Sequence, residues 1–584
     1  MIMQAVYNIA EICARHGITD VVLSPGSRSA PLTLAFARHP DLTVRVVPDE
    51  RAAAFIGLGI AQAQRRAVAL VCTSGTAGLN YAPAVAEAFF QHIPLVIFTA
   101  DRPPEWIDQL DGQTIRQHNL FGAHAKGAFE FPVDTSHPDA KWHSARIVNE
   151  AINMAQAAPA GPVQVNVSLR EPFYPKAGEE IRYEQDVQII REWPSVITLS
   201  KASQAELKQQ LKMATRALIV AGQQPVDEQL MHALRLFSDT YGISVLGDSI
   251  SNSDGVGASV ISRQDVFLAG LSSEQKEALR PDLLITFGQS LISKSLKLFL
   301  RDSATEQHWH LQATGAAADT FRSLTTIVRV EPASFFESLT IEKTQSSLAS
   351  PVKTRFNLAW VSAQQRADAA LQDFFSGQGD RYQKSQPVFN EFSAFAEALA
   401  SLPEYTALHL ANSMAVRYAN ILGIPQGRHI EVFANRGTSG IDGCNSTAVG
   451  AALAQPERPV VLLTGDVAFF YDRNAFWHNY PVPNLRVVLF NNHGGGIFRL
   501  IDGPRQQPEL EEFFETRQTL TAENTARDFN LGYFPVSTFA ELDAALPVFF
   551  AAETGAAILE IFTDSKTNAA FFEEYRAAVK QAFS

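Results

Sequence analysis

Two short stretches in the last quarter of the chain carry oxygen ligands suited to a hard cation. They are LLTGDVAFFYDRNAFW and, about two dozen residues further on, VVLFNNHGGGIF. Each is an apolar run that opens into a polar turn. Asp466 offers a carboxylate, Asn492 an amide oxygen, and Gly494 a backbone carbonyl that no side chain obstructs. A Mg²⁺ ion bridging a diphosphate needs oxygen ligands of this kind in near-octahedral arrangement. A helix beginning at Asp466, just after the turn residue Gly465, would turn its first peptide N–H groups toward the anion, where the helix dipole favours negative charge. A lone Gly-Asp is a common turn. Gly-Asp and Asn-Asn together, each closing an apolar run at this separation, point to a metal-bridged diphosphate.

This pairing resembles the diphosphate-binding signature of thiamine-diphosphate enzymes, with Val467 where that signature usually has a third glycine. The resemblance implies thiamine diphosphate with Mg²⁺ or Mn²⁺ as cofactors. It also implies a carboxylate that activates the cofactor by hydrogen-bonding its aminopyrimidine. Such a group belongs in an apolar, water-poor site, where its protonation can be tuned. In TVRVVPDERAAAFIGLGIAQA, Glu50 follows a short strand and opens an Ala- and Gly-rich helix. The resemblance places the activating glutamate there.

The sharper marks are SPGSRSAPLTLA, TADRPPE, NSMAVRYAN, NRGTSGIDG and NNHGGGIF. In their order, from about Val21 to Phe498, they resemble the family of 2-succinyl-5-enolpyruvyl-6-hydroxy-3-cyclohexene-1-carboxylate synthases of menaquinone biosynthesis; the middle of the chain matches mainly in ISKSLK. The resemblance implies decarboxylation of 2-oxoglutarate and 1,4-addition of the succinyl semialdehyde carbanion to isochorismate. Both substrates are dianions, and Arg28, Arg102, Arg417 and Arg436 all stand in the matched motifs. Their planar forks meet carboxylates bidentately, and they are expected at strand-end turns. By resemblance Ser27, Gln113, Lys294 and Ser413 join them in substrate binding, and Arg28 and Gln113 act with Glu50 in catalysis. Ile441 maps onto the residue that props thiamine in its bent conformer, and Ile497, Phe498 and Ile501 onto the apolar wall. Gly112 departs from the family pattern, which has Asn there. His118 and His493 lie beside matched motifs without metal-ligand spacing and read as structural. The family shares sites between chains, Glu50 of one serving cofactor held by Asp466 of another, so a homodimer or homotetramer is expected.

These residues need a scaffold that brings strand ends together. Short β-branched runs (VVLSPG, AVALVCTSG, PLVIFTADRPP) alternate with helical stretches such as SAPLTLAFARH, and the rhythm recurs around ALIVAGQQP, ISVLGDS and LLITFGQS, then VVLLTGD, RVVLFNN and AAILEIF. Such alternation predicts α/β architecture: three consecutive domains, each a mostly parallel sheet flanked by helices. Expected bounds are 1–180 (pyrimidine-binding), 190–345 (central) and 370–584 (diphosphate-binding). Linkers are expected at Pro172–Trp193 and from Thr344 through Pro387. Ligands in open α/β sheets sit beyond the carboxyl ends of the strands, and there most of the residues above fall.

At 584 residues several domains are required. A hydrophobic share of 46%, a charged share of 19% and a net charge of −13 predict a globular protein without general affinity for nucleic acid or anionic membrane. Cys13, Cys72 and Cys444 have no metal-like spacing and are expected to be reduced and buried. No signal-peptide pattern or membrane-length apolar run is present, so the expected location is the cytoplasm. An acetolactate-synthase-like or other 2-oxo acid decarboxylase is the alternative; it has no need of so many arginines. A P-loop is absent, and no GxGxxG stands in strand–helix context.

Overall fold

Eighteen strands form in the computed structural model, which describes residues 3–171, 173–175, 179–257, 260–340, 351–382 and 388–583. In the first sheet are β1 (Asp20–Leu23), β2 (Thr43–Val46), β3 (Val68–Cys72), β4 (Leu95–Asp101), β5 (Gly127–Phe131) and β6 (Val163–Ser168). The second holds β7 (Ala217–Ala221), β8 (Ser244–Gly247), β9 (Val260–Ile261), β10 (Leu283–Phe287), β11 (Gln307–Leu311) and β12 (Thr326–Val328). The third holds β13 (Ala407–Leu410), β14 (Glu431–Phe433), β15 (Val460–Gly465), β16 (Leu485–Asn491), β17 (Gly532–Val536) and β18 (Ala557–Phe562). Every described strand pair is parallel. Central strands such as β3, β4 and β16 are buried along their whole length, as strands covered on both faces must be. This is why they read as unbroken apolar runs.

The first and third sheets share one topology, β2-β1-β3-β4-β6-β5 and β14-β13-β15-β16-β18-β17. The middle sheet runs β12-β11-β10-β7-β8-β9, the doubly wound order. The outer sheets are joined within one chain by helices Glu50–Gln64 and Cys444–Ala454. A β-carbon on Gly59 would lie 2.1 Å from the Thr447 carbonyl oxygen, and one on Gly450 2.1 Å from that of Ile56. The backbones approach so closely that only glycine fits at either position. Around this crossing one apolar core runs through both units, from Val22 and Leu70 to Val460 and Val487.

The linker expectations need correction. The stretch following β6 forms no helix or strand among its described residues, yet it is strapped to the first unit: the Tyr183 hydroxyl donates to the Ala35 carbonyl at 2.7 Å and Asn8 to Glu184 at 2.8 Å. Most of the second expected linker is a helix, Pro351–Tyr382. Phe356, Trp360, Ala363, Ala367, Leu371 and Phe374 recur at helical spacing and are buried, Trp360 completely. The flanking polar residues drew the eye away from that periodicity. Position 370 falls inside this helix, and residues 341–350 and 383–387 lie outside the described residues. All three cysteines are free and buried.

Candidate active site

The carboxyl ends of β13, β15 and β16 open on a cavity of about 200 Å³. Ser413, Ile441, Gly465, Asp466, Asn492, Gly494, Ile497 and Phe498 all line it. Gly465 ends β15, and Asp466 begins the helix Asp466–Tyr471 with 2% of its surface exposed. Burial raises its carboxyl to about 6, against hydrogen bonds from Gln518 and the Val467 N–H, the latter at 2.8 Å. Val467 thus contributes a backbone N–H, a contact that does not depend on its side chain. Asn492 follows β16. Its amide nitrogen donates to Glu391 at 2.7 Å, while its amide oxygen is buried without a partner. Gly494 cannot carry a side chain, because a β-carbon would meet the Glu515 carbonyl at 2.7 Å. A buried carboxylate, an orphaned amide oxygen and the Gly494 backbone, whose carbonyl accepts the Gly496 N–H at 2.9 Å and keeps a second lone pair, line one cavity and fit a hard cation. Among the described residues no cluster of three or more His, Cys, Asp or Glu side chains offers another metal site.

Two residues here escaped the sequence reading. Gln518 donates to Asp466 at 2.8 Å while its own N–H donates to the His493 carbonyl at 3.0 Å. Glu391, buried in the same cavity wall, accepts from Asn492 and, at 3.1 Å, from Asn568. Burial first, and the nearby Asp466 charge, raise its carboxyl to about 7. In sequence Glu391 merely follows Asn390, which caps the helix Glu391–Ala400 by accepting the Ser393 N–H at 2.9 Å. That context reads as an ordinary helix start. His493 stacks on Phe562 and His118 pairs with Glu130, both structural contacts.

A second cavity, about 630 Å³, adjoins the first and shares Met414 and Ile497 with it. Lys294, Arg417 and Ile501 line it. Arg417 is not at a strand-end turn as expected. It lies in the helix Met414–Leu422 and donates to the Ser413 carbonyl one turn back. Arg436, just past β14, donates to Asn412 at 2.9 Å. Burial and the Arg417 charge together push its guanidinium below its ordinary value, so these two cations share one field. Lys294 begins the helix Lys294–Asp302. The turn before it is held by Asp248, which accepts the Ile292 and Ser293 N–H groups.

The other predicted residues gather at the carboxyl edge of the first sheet. Arg28 is buried, with its guanidinium 4.6 Å over the Phe173 ring and donating to the Leu169 carbonyl at 3.0 Å. Ser27 is exposed in the same turn. Arg102 pairs with Asp111 at 2.7 Å and donates to the Gly112 carbonyl at 2.7 Å. Position 112 therefore acts through its backbone, where the family pattern has a polar side chain. Gln113 follows in the left-handed region (φ 56), an unfavourable conformation for a side-chain-bearing residue. Glu50 begins its helix after Asp49, which accepts the Ala52 N–H at 3.1 Å and the Asn474 side chain at 2.7 Å. None of Ser27, Arg28, Glu50, Arg102 or Gln113 lines either cavity.

Models of the thiamine pyrophosphate enzyme match the chain in three parts: the N-terminal binding domain at residues 3–123, the middle domain at 187–409 and the C-terminal binding domain at 418–561. Fold and site thus define a thiamine-diphosphate-dependent enzyme. The chain is 45% identical, over 100% of both chains, to the 2-succinyl-5-enolpyruvyl-6-hydroxy-3-cyclohexene-1-carboxylate synthase of Cytophaga hutchinsonii. It is 37% identical to the synthase of Flavobacterium johnsoniae over 97% of both chains, and 37% identical to that of Porphyromonas gingivalis over 97% of this chain and 96% of that one. The chain belongs to the 2-succinyl-5-enolpyruvyl-6-hydroxy-3-cyclohexene-1-carboxylate synthase family.

Proposed function

We infer that the chain decarboxylates 2-oxoglutarate and adds the remaining four-carbon unit to isochorismate, releasing CO₂ and forming the product for which its relatives are named, a step of menaquinone biosynthesis. The observation that carries the cofactor half of this reading is the orphaned Asn492 oxygen beside buried Asp466. We assign Asp466, Asn492 and the Gly494 carbonyl to Mg²⁺ or Mn²⁺, with Gly465 beside the diphosphate. Thiamine diphosphate bound there supplies the electron sink that lets a 2-oxo acid lose CO₂ and pass on its acyl unit. Glu50 is the residue that would hold and move a proton at the cofactor's aminopyrimidine nitrogen. Ile441 would support the cofactor from below, and Ile497, Phe498 and Ile501 would form an apolar wall that excludes water.

Arginine placement supports a dianionic substrate pair. Arg417, Ser413 and Lys294 line the cavities and Arg436 stands behind them, bonded to the lining residue Asn412; together they would hold the 2-oxo acid. Arg28, Arg102, Ser27 and Gln113 would hold isochorismate, with Arg28 and Gln113 also orienting it for attack. Because Glu50 and these four residues line neither cavity, we propose that a second copy of the chain brings them over it, in a homodimer or homotetramer. Among the described residues no helix is long and apolar enough to cross a membrane, which agrees with a cytoplasmic enzyme. Mass spectrometry of the products from 2-oxoglutarate with and without isochorismate tests the reading. A succinylated adduct that forms only with both substrates is expected; preference for pyruvate would overturn it in favour of an acetolactate-like reaction.

A further inference from the structure

The amide of Asn492 has two ends and only one of them is useful to a cation. Rotated by half a turn, the side chain would present N–H donors to the metal and repel it. What holds it one way is a buried triad. Glu391 Oε2 accepts from Asn492 Nδ2 at 2.7 Å and from Asn568 Nδ2 at 3.1 Å. Asn568 Oδ1 in turn accepts the Glu391 backbone N–H at 2.9 Å. The Glu391 backbone N–H can only donate, which fixes the Asn568 amide with its nitrogen toward Glu391 Oε2, and Asn492 turns its own nitrogen to the same oxygen. The Asn492 oxygen is thereby left buried, without a partner and facing the cavity that Asp466 and Gly494 also line.

We propose that Glu391 is a positioning residue for the metal site. With Asn568 behind it, it locks the Asn492 amide with its oxygen toward the cation. It is argued to act through Asn492, and the inference rests on the assignment of Asp466 and Asn492 as ligands. The helix start that carries Glu391 comes from a part of the chain 101 residues before Asn492, and Asn568 lies 177 residues beyond Glu391. Three separate segments thus converge on one amide. Loss of such an outer-shell partner ordinarily weakens metal binding about 10–100-fold.

Mg²⁺ titrations followed by calorimetry at fixed thiamine diphosphate, beside the melting temperature of each metal-free protein, test this. Glu391→Met removes the acceptor while keeping the bulk, and is expected to raise the half-saturating Mg²⁺ about 10–100-fold. Glu391→Gln keeps an oxygen that can accept both N–H groups and is expected to stay within about threefold of wild type, since it preserves the orienting contacts. Asn492→Asp combined with Glu391→Met is expected to recover most of the loss, because either carboxylate oxygen then serves. Should Glu391→Met not fold, Glu391→Ala asks the same question. Wild-type Mg²⁺ affinity in folded Glu391→Met or Glu391→Ala, or a loss in Glu391→Gln as large as in Glu391→Met, would overturn the proposal. Asp466→Ala separates the two levels. If it too binds Mg²⁺ like wild type, the metal assignment is what has failed; if it alone loses Mg²⁺, the positioning role has.

Discussion

The carboxylate of Glu87, on helix Ala82–Gln91 of the first unit, accepts the backbone N–H of Gly437 at 2.7 Å and that of Thr438 at 2.7 Å in the third. Glu87 is buried, and the loop it grips follows directly on Arg436. Removing the carboxylate leaves two donors of a partly buried loop without their partner, a cost of up to about 1–3 kcal/mol each. Glu87→Ala is therefore expected to raise KM for 2-oxoglutarate at least about tenfold, with thiamine diphosphate affinity nearly unchanged. Steady-state kinetics and cofactor titration read both quantities; an unchanged KM would show that the grip has no bearing on Arg436.

Asp466 supplies the only carboxylate proposed for the metal. Asp466→Ala is expected to abolish Mg²⁺-dependent binding of thiamine diphosphate, since the cation loses its one anionic anchor to the protein. Calorimetry showing wild-type cofactor affinity would refute the assignment.

The arginines are expected to divide by sheet. Arg417→Ala and Arg436→Ala should mainly impair use of 2-oxoglutarate, and Arg28→Ala and Arg102→Ala use of isochorismate, each by about 2–5 kcal/mol of lost charged hydrogen bonding. Arg102 is already engaged by Asp111 and Gly112, so its loss should be the smaller of its pair. Varying each substrate in turn decides this; equal KM effects on both substrates in all four variants would contradict the two-pocket picture.

Acid should act on the third sheet through His409. It is buried, stacks on Phe433 with ring centroids 5.0 Å apart, and burial lowers its pKa from 6.5 to about 3. Below pH 6.5 the unfolded chain takes up a proton that the folded protein refuses, so this stability is present above pH 6.5 and is lost as pH falls toward 3. His409→Phe keeps the stacking and removes the proton. Relative to wild type it is expected to gain roughly 1.4 kcal/mol per pH unit below 6.5. Denaturant unfolding of both proteins at pH 7 and pH 5 measures it; a pH-independent difference would contradict the assignment.

Much of this was legible in sequence because parallel strands covered on both faces leave continuous apolar runs, and their carboxyl ends mark where ligands bind. Asp466, Asn492 and Gly494 are local features of two such ends. The helix Pro351–Tyr382 was missed because its flanks look like linkers, though Trp360 and its neighbours carry the period. Glu391 and Gln518 left no signal of their roles. What each does is decided by a tertiary contact with a residue far along the chain, and an acid after a capping Asn or a Gln in a loop is unremarkable by itself. The topology of the middle sheet was equally hidden, since strand order is not written in strand composition.

The proposed site takes Glu50 from one copy of the chain and Asp466 from another. Glu50→Gln should bind cofactor yet lose at least about a hundredfold in turnover, and Asp466→Ala should fail to bind it. Mixing the two inactive proteins under conditions that exchange subunits, and assaying 2-oxoglutarate with isochorismate, tests the assembly directly. A mixed pair contains one site with both residues intact, so activity should return to roughly a quarter of wild type at equal mixing if subunits pair at random in symmetric dimers. Full exchange, verified by native mass spectrometry, with no return of activity would contradict a shared site.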